Sequence, residues 1–253
     1  CTFYTSATMV STWSLPLRDR GVFPGDLLQS VSAFGTVLIG PGVAREDDVL
    51  VATRAGVLRW DAGQHRLWVE NEQKRYVPAL DEHVIGTVVD KNAEEYRLDV
   101  GSAALASLPV LAFDGATKRN RPQLQIGALV YARATIASKD IESELTCKAP
   151  PGLGAAKDWV TKESVFGELA GGHLFDCPSG TCRELLLDDS PLLEALGAVA
   201  AFEIAVGMNG RIWLDAEKEA TAVLVQTAIL QSQGRSPSEH ARLVKSLVHG
   251  AEL

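Results

Sequence analysis

From Arg20 to Cys147 the chain is cut into short apolar runs, several of them set off by glycine or proline turns. Runs of about four to six residues are too short for packed helices and suit strands joined by tight turns. Phe23-Pro24-Gly25-Asp26 has the form of a turn, because proline fixes φ and glycine tolerates φ > 0. Val37-Leu38-Ile39 stops at Gly40-Pro41-Gly42. Leu50-Val51-Ala52-Thr53 and Val57-Leu58-Arg59-Trp60 flank Arg54-Ala55-Gly56, which predicts a tight hairpin, and Leu67-Trp68-Val69 is a further strand. Residues 1–77 therefore read as a β-rich module, with 1–19 irregular.

The next stretch, 78–148, is also β in character. His83–Asp90 is apolar and β-branched, and Glu95–Gly101 alternates, so one of its faces is buried and one is wet. Leu108–Phe113, Ala128–Ile136 and Glu144–Cys147 complete a set of strands about the size of an OB-type barrel. Residues 149–253 change pattern. Helices are predicted over Ser164–Leu169, Ser190–Leu196, Glu217–Gln233 (amphipathic, ending near Gly234) and Ser236–Val248. Ser190 as cap, Pro191 at the first helical position and acidic Glu194 make the second a well-marked start. Ala200–Val206 and Arg211–Leu214 are strand candidates around the turn Gly207-Met208-Asn209-Gly210. The fold class is mainly β with an α/β C-terminal part.

The net charge of -8 excludes a global basic coat, so nucleic acid would be met through a local patch. The acidity sits mostly in 149–253, while the densest basic run is Lys118-Arg119-Asn120-Arg121, bracketed by Gly115 and Pro122. Arginine forks suit phosphate oxygens, and asparagine can reach a base edge or a sugar hydroxyl. Tyr96, Arg97 and Phe113 are candidates for nearby stacking surface. The same run also suits a solvated loop or salt bridges to a protein partner. Gly207-Met208-Asn209-Gly210-Arg211 has the G-x-x-G spacing of a KH phosphate clamp, but the loop carries Asn where a cation would help, so a purely structural turn is an equal reading.

Catalytic signatures are missing: there is no G-x-S-x-G elbow, Walker loop or dinucleotide fingerprint, and the histidines are scattered. Asp188-Asp189 suits a helix N-terminus rather than a catalytic dyad. Cys177 and Cys182 are spaced C-x4-C; zinc would need two more ligands at regular spacing, and unligated thiols are expected. No metal or cofactor is implied. Four cysteines are too few for a disulfide scaffold, no apolar run reaches 18 residues, and the N-terminus lacks a signal-peptide pattern. A reducing intracellular setting without membrane contact is the expectation.

In order along the chain stand Pro24-Gly25-Asp26, Gly40-Pro41-Gly42, Ala55-Gly56-Val57-Leu58-Arg59, Lys74-Arg75-Tyr76-Val77-Pro78, His83-Val84-Ile85-Gly86, Leu111-Ala112-Phe113, Gly115–Pro122 and Gly207–Trp213. This set resembles the S1/KH cap subunits of the eukaryotic RNA exosome, best their forty-kilodalton type, over residues 20 to 230. The resemblance implies an N-terminal β-rich domain (1–77), an S1 domain of OB type (78–148) and a KH domain (149–253). It implies a non-enzymatic role on a ring of RNase PH-like subunits, beside other S1/KH cap subunits. There the chain would steer single-stranded RNA toward an associated 3′-to-5′ exoribonuclease, in nucleus, nucleolus and cytoplasm. Lys118, Arg119, Asn120, Arg121, Tyr96 and Arg97 would be its RNA contacts. A free-standing S1/KH protein of translation or RNA metabolism is the alternative. The stretch through Arg18 and the insert around Cys177–Cys182 match none of these strings.

Overall fold

The computed structural model describes residues 20–30, 37–61, 63, 65–71, 75–138, 141–150, 165–187, 190–233, 235 and 237–250. Segment 1–19, Ser164, the Asp188-Asp189 pair, Gly234 and Ser236 lie outside them. Two compact units divide the chain, 1–72 and 73–253.

The first unit holds β1 (Arg20–Val22), β2 (Leu27–Ser30), β3 (Leu38–Ile39), β4 (Val43–Glu46), β5 (Val49–Ala52), β6 (Gly56–Asp61) and β7 (Arg66–Glu70). One sheet runs β1-β6-β7-β3, the other β2-β5-β4. The hairpin expected at 50–60 is not formed. Strand β5 pairs with β2 and β4, whereas β6 pairs with β1 and β7. Arg54 and Ala55 carry the chain from one sheet to the other. The reason is burial: Leu50 on β5 and Leu58 and Leu67 on the β1-β6-β7-β3 sheet are fully enclosed in one core with Val22, Leu28 and Val69. A lone two-stranded hairpin could not enclose both strands' apolar faces.

The second unit begins with β8 (His83–Lys91), β9 (Glu95–Asp99), β10 (Ala106–Pro109), β11 (Leu129–Ile136) and β12 (Glu144–Thr146). They pair in the order β12-β10-β9-β8-β11, and an additional β11–β12 pairing closes the barrel. Closure removes the exposed edges that an open sheet of this size would leave. The predicted strand at Leu108–Phe113 is displaced. It runs Ala106–Pro109, and the chain then turns, leaving Phe113 with a single bridge to Cys147. Alternation along β9 works as the sequence indicates, with Tyr96 and Leu98 inside and Glu95, Arg97 and Asp99 outside.

The described part of the predicted 164–169 helix, residues 165–169, is not helical: β13 (Gly167–Leu169) pairs with β11, Leu129 opposite Leu169. Phe166, just before it, is buried with its ring stacked on Tyr131, 5.3 Å between centroids. That anchor is a tertiary contact which local helical spacing cannot report. Beyond it come β14 (His173–Asp176), α1 (Ser179–Leu185), α2 (Pro191–Gly197), β15 (Glu203–Val206), β16 (Arg211–Asp215), α3 (Glu219–Ser232) and α4 (Pro237–Gly250). A β14-β16-β15 sheet is associated with these helices around Cys182, Leu192, Leu196, Ile212, Leu214, Val225 and Ile229. The helix α2 starts at Pro191 with Ser190 as its cap residue, although the Ser190 hydroxyl makes no capping bond. Helix α3 is less amphipathic than its spacing suggests, because Val223 and Leu230 lie exposed opposite its buried face. No described helix is long and apolar enough to cross a membrane.

Barrel and C-terminal sheet share one core. Ala205 of β15 and Trp213 of β16 belong to the same buried cluster as Ile85, Leu98 and Val130 of the barrel.

Candidate nucleic-acid interface

The basic run sits on the connection between β10 and β11. Two bonds close a tight turn there: the Thr117 N–H donates to the Asn120 carbonyl (2.8 Å), and the Asn120 N–H donates to Thr117 Oγ1 (3.1 Å). Such a side-chain bond holds a turn where no sheet partner is present. Lys118, Arg119, Asn120 and Arg121 are all exposed. Arg121 Nη1 donates to the Ala93 carbonyl at 2.9 Å, across to the β8–β9 turn. Arg59, Arg97, Arg133 and Arg211 each pair with a carboxylate. Lys118, Arg119 and Arg121 pair with none among the described residues, so their charge is uncompensated.

Two expected contacts have other work. Tyr96 is only 4% exposed. It occupies the inward face of β9, and its hydroxyl donates to the Pro122 carbonyl (2.5 Å) and accepts from the Leu124 N–H (3.4 Å). Its ring is therefore closed to a base, and Tyr96 instead anchors the end of the basic loop. Phe113 is buried as well. Arg97 lies on the outer face but is paired with Glu142 (2.5 Å) and Glu95 (3.1 Å). The hydrogen bond and charge of Glu142, with Glu95, raise its pKa further above the usual arginine value. It offers no free cation. Lys91, which sequence density did not single out, closes β8 beside this loop, with Nζ donating to the Leu124 carbonyl at 3.0 Å.

The G-x-N-G turn faces the barrel. Asn209 Nδ2 donates to the carbonyls of Ile85 (2.8 Å) and Val100 (3.0 Å), while its Oδ1 accepts from the Ile85 N–H (3.2 Å). Its carboxamide thus pairs with Ile85 as the peptide group of an extra strand would. The Met208 N–H donates to the His83 carbonyl, and the Gly207 N–H to that of Arg211. Gly210 has φ +81, and a Cβ there would stand 2.7 Å from the Cys177 carbonyl oxygen. Arg211 completes the seam, with Nη2 donating to Asp99 Oδ2 (2.8 Å) and Nη1 to the Asp99 carbonyl (2.6 Å). That bond to Arg211, helped by the Gly101 N–H, lowers the Asp99 pKa. A KH clamp holds phosphate with backbone N–H groups of this loop. Here those of Gly207, Met208 and Gly210 are all spent on protein carbonyls.

His83 and Tyr131 lie at the same seam, Nδ1 and hydroxyl 3.2 Å apart, and the Tyr131 hydroxyl also reaches the Val206 carbonyl (3.3 Å). Burial lowers the His83 pKa, as does Arg133, against a smaller upward pull from Asp81. Cys147, Cys177 and Cys182 are buried free thiols. The last two are hydrogen-bonded to each other, Cys182 donating, which lowers the Cys177 pKa and raises that of Cys182. No group of three or more His, Cys, Asp or Glu among the described residues could hold a metal ion.

Three family models match the chain in order. Residues 37–75 match the family described as Exosome complex exonuclease Rrp40 N-terminal domain, 76–155 the Exosome complex component RRP40 S1 domain, and 172–220 a KH domain. A Schizosaccharomyces pombe protein, Exosome complex component rrp40, is 38% identical over 235 residues, 89% of this chain and 93% of the relative. The chain belongs to the Rrp40 family. A Drosophila melanogaster Exosome complex component RRP40 is 39% identical over 218 residues, covering 84% of this chain and 90% of its own. A crystal structure assigned to an exosome complex RNA-binding protein shares the fold, with TM-score 0.52 and 19% identity over 70% of this chain and 97% of that one. In this Rrp40-family chain the G-x-N-G turn serves to join the S1 and KH parts, and Lys118, Arg119 and Arg121 are exposed on the S1 loop.

Proposed function

We propose that the chain is a non-catalytic cap subunit of an RNA exosome. In this reading it is seated on RNase PH-like ring subunits beside other S1/KH caps, and it guides single-stranded RNA into the central pore. An associated 3′-to-5′ exoribonuclease then processes or degrades the RNA. Its place is that of the forty-kilodalton-type cap, exosome component three, and its locations are nucleus, nucleolus and cytoplasm. Alignment with Rrp40 relatives along most of both chains supports the complex. RNA contact rests on one observation: Lys118 and Arg119 project from a braced turn with no carboxylate partner, and Arg121 is fixed beside them. Cations held this way can replace RNA counterions without first breaking a salt bridge.

The test uses the reconstituted complex with Lys118→Ala, Arg119→Ala and Arg121→Ala combined. For single strands each lost phosphate contact lowers the slope of log K against log salt by about 0.7, so a loss of about 2 is expected. An unchanged slope with unchanged RNA protection overturns the loop assignment. Failure to join the ring would make the loop a protein contact. Pull-down from native extract should recover RNase PH-like subunits. A chain that runs as a monomer and binds RNA alone fits the free-standing reading instead. Imaging of the tagged chain checks its locations.

A further inference from the structure

A cleft of about 160 Å³ opens between the β8–β9 turn and segment 121–124. Lys91 and Arg121 stand on its sides, with Asn92, Val110, Pro122 and Leu124 among its other lining residues. The two cations are braced in opposite directions across it, Lys91 onto the Leu124 carbonyl and Arg121 onto the Ala93 carbonyl. A carbonyl dipole fixes a side chain but does not cancel its charge. The nearby carboxylates do not cancel it either. Asp90 accepts the Lys91 backbone N–H, Glu95 is paired with Arg97, and no described carboxylate lies within ion-pair distance of Lys91. The pair is therefore both uncompensated and pre-positioned, which lowers the ordering cost of binding an anion.

The cleft's size narrows the ligand class. Sites for whole small molecules run to about 300–1,000 Å³. A smaller cleft whose exposed lining includes two cations, Lys91 and Arg121, suits a single phosphate group of a polymer backbone. A phosphate would lie between the two charged heads, while Val110, Pro122 and Leu124 are buried and form the closed floor of the cleft. We propose that this cleft is a single-phosphate subsite of the RNA path, with Lys91 as a phosphate contact opposite Arg121. The inference rests on the RNA-contact reading of the 118–121 loop. It gives that path a direction, from the loop toward the β8–β9 turn.

The test compares three variants of the full chain, Lys91→Met, Lys91→Arg and the double variant Lys118→Ala/Arg119→Ala, titrated with a short labelled oligouridine across a salt series. Lys91→Met should weaken binding about threefold to tenfold at low salt, the weight of one charged contact. Its salt slope should fall by about 0.7, and Lys91→Arg should restore both. A merely structural Lys91 would lower the melting temperature and leave the slope alone, and that result overturns the subsite. If the double variant loses slope while Lys91→Met does not, the subsite falls and the loop reading stands. If neither variant changes the slope, both fall.

Discussion

Replacing Asn209 with alanine tests the reading that the G-x-N-G turn is a joint between S1 and KH parts. The substitution removes three hydrogen bonds, two donated by Nδ2 and one accepted by Oδ1. The groups left behind belong to the backbone of Ile85 and Val100, residues that are 0% and 1% exposed. A buried backbone group without a partner costs about 1–3 kcal/mol. Three such groups sum to about 3–9 kcal/mol, and water entering from the half-exposed side of the turn keeps the total near the low end, about 3 kcal/mol. For a unit of this size each kcal/mol moves the melting temperature by about 2–4 °C. Thermal melting followed by circular dichroism should therefore show a drop of about 6–12 °C. Amide exchange at Ile85 should accelerate. Asn209→Asp should be worse, because it keeps the bond from the Ile85 N–H but sets a carboxylate against two carbonyls. RNA affinity of the still-folded protein should not change. A melting temperature within about 1 °C of the parent, together with weaker RNA binding, would refute the reasoning and restore the clamp.

Other consequences follow from the same geometry. Gly210→Ala places a Cβ 2.7 Å from the Cys177 carbonyl oxygen at φ +81, so calorimetry should record a loss of at least about 2 kcal/mol. Tyr96→Phe removes the bond to the Pro122 carbonyl and should cost about 1–2 kcal/mol, with faster amide exchange at Leu124 and an intact barrel by circular dichroism. His83 has a folded pKa below its ordinary 6.5, so the unfolded chain binds the extra proton first. The stability it contributes is complete above that value and is lost as pH falls from 6.5 through the folded pKa. Melting temperatures between pH 7.5 and 5 should show this fall in the parent and a flatter profile in His83→Gln; equal profiles would remove His83 as the cause.

Much of the architecture is legible from periodicity and punctuation alone. The alternation Glu95–Asp99 sets which side of β9 is buried, and the Ser190-Pro191 signal marks the start of α2 to the residue. Ordered short strings place the N-terminal, S1 and KH parts. Density of like charge picks out the 118–121 loop, since it needs no knowledge of neighbours.

Pairing is what the chain alone leaves open. Local spacing makes 50–60 a hairpin and 164–169 a helix; the partners β2, β1 and β11 decide otherwise, because each strand's apolar face must be enclosed by something distant in sequence. Charge and ring type likewise carry no record of occupancy. Tyr96 and Arg97 look available until the fold turns one inward onto Pro122 and gives the other Glu142. Lys91 looks unremarkable until the fold brings Leu124 and Arg121 beside it. The sequence by itself determined which elements and which charges this protein has. The tertiary structure alone decided which of those charges remain uncompensated, because burial and most of the pairing depend on residues distant in sequence, beyond the reach of any local pattern.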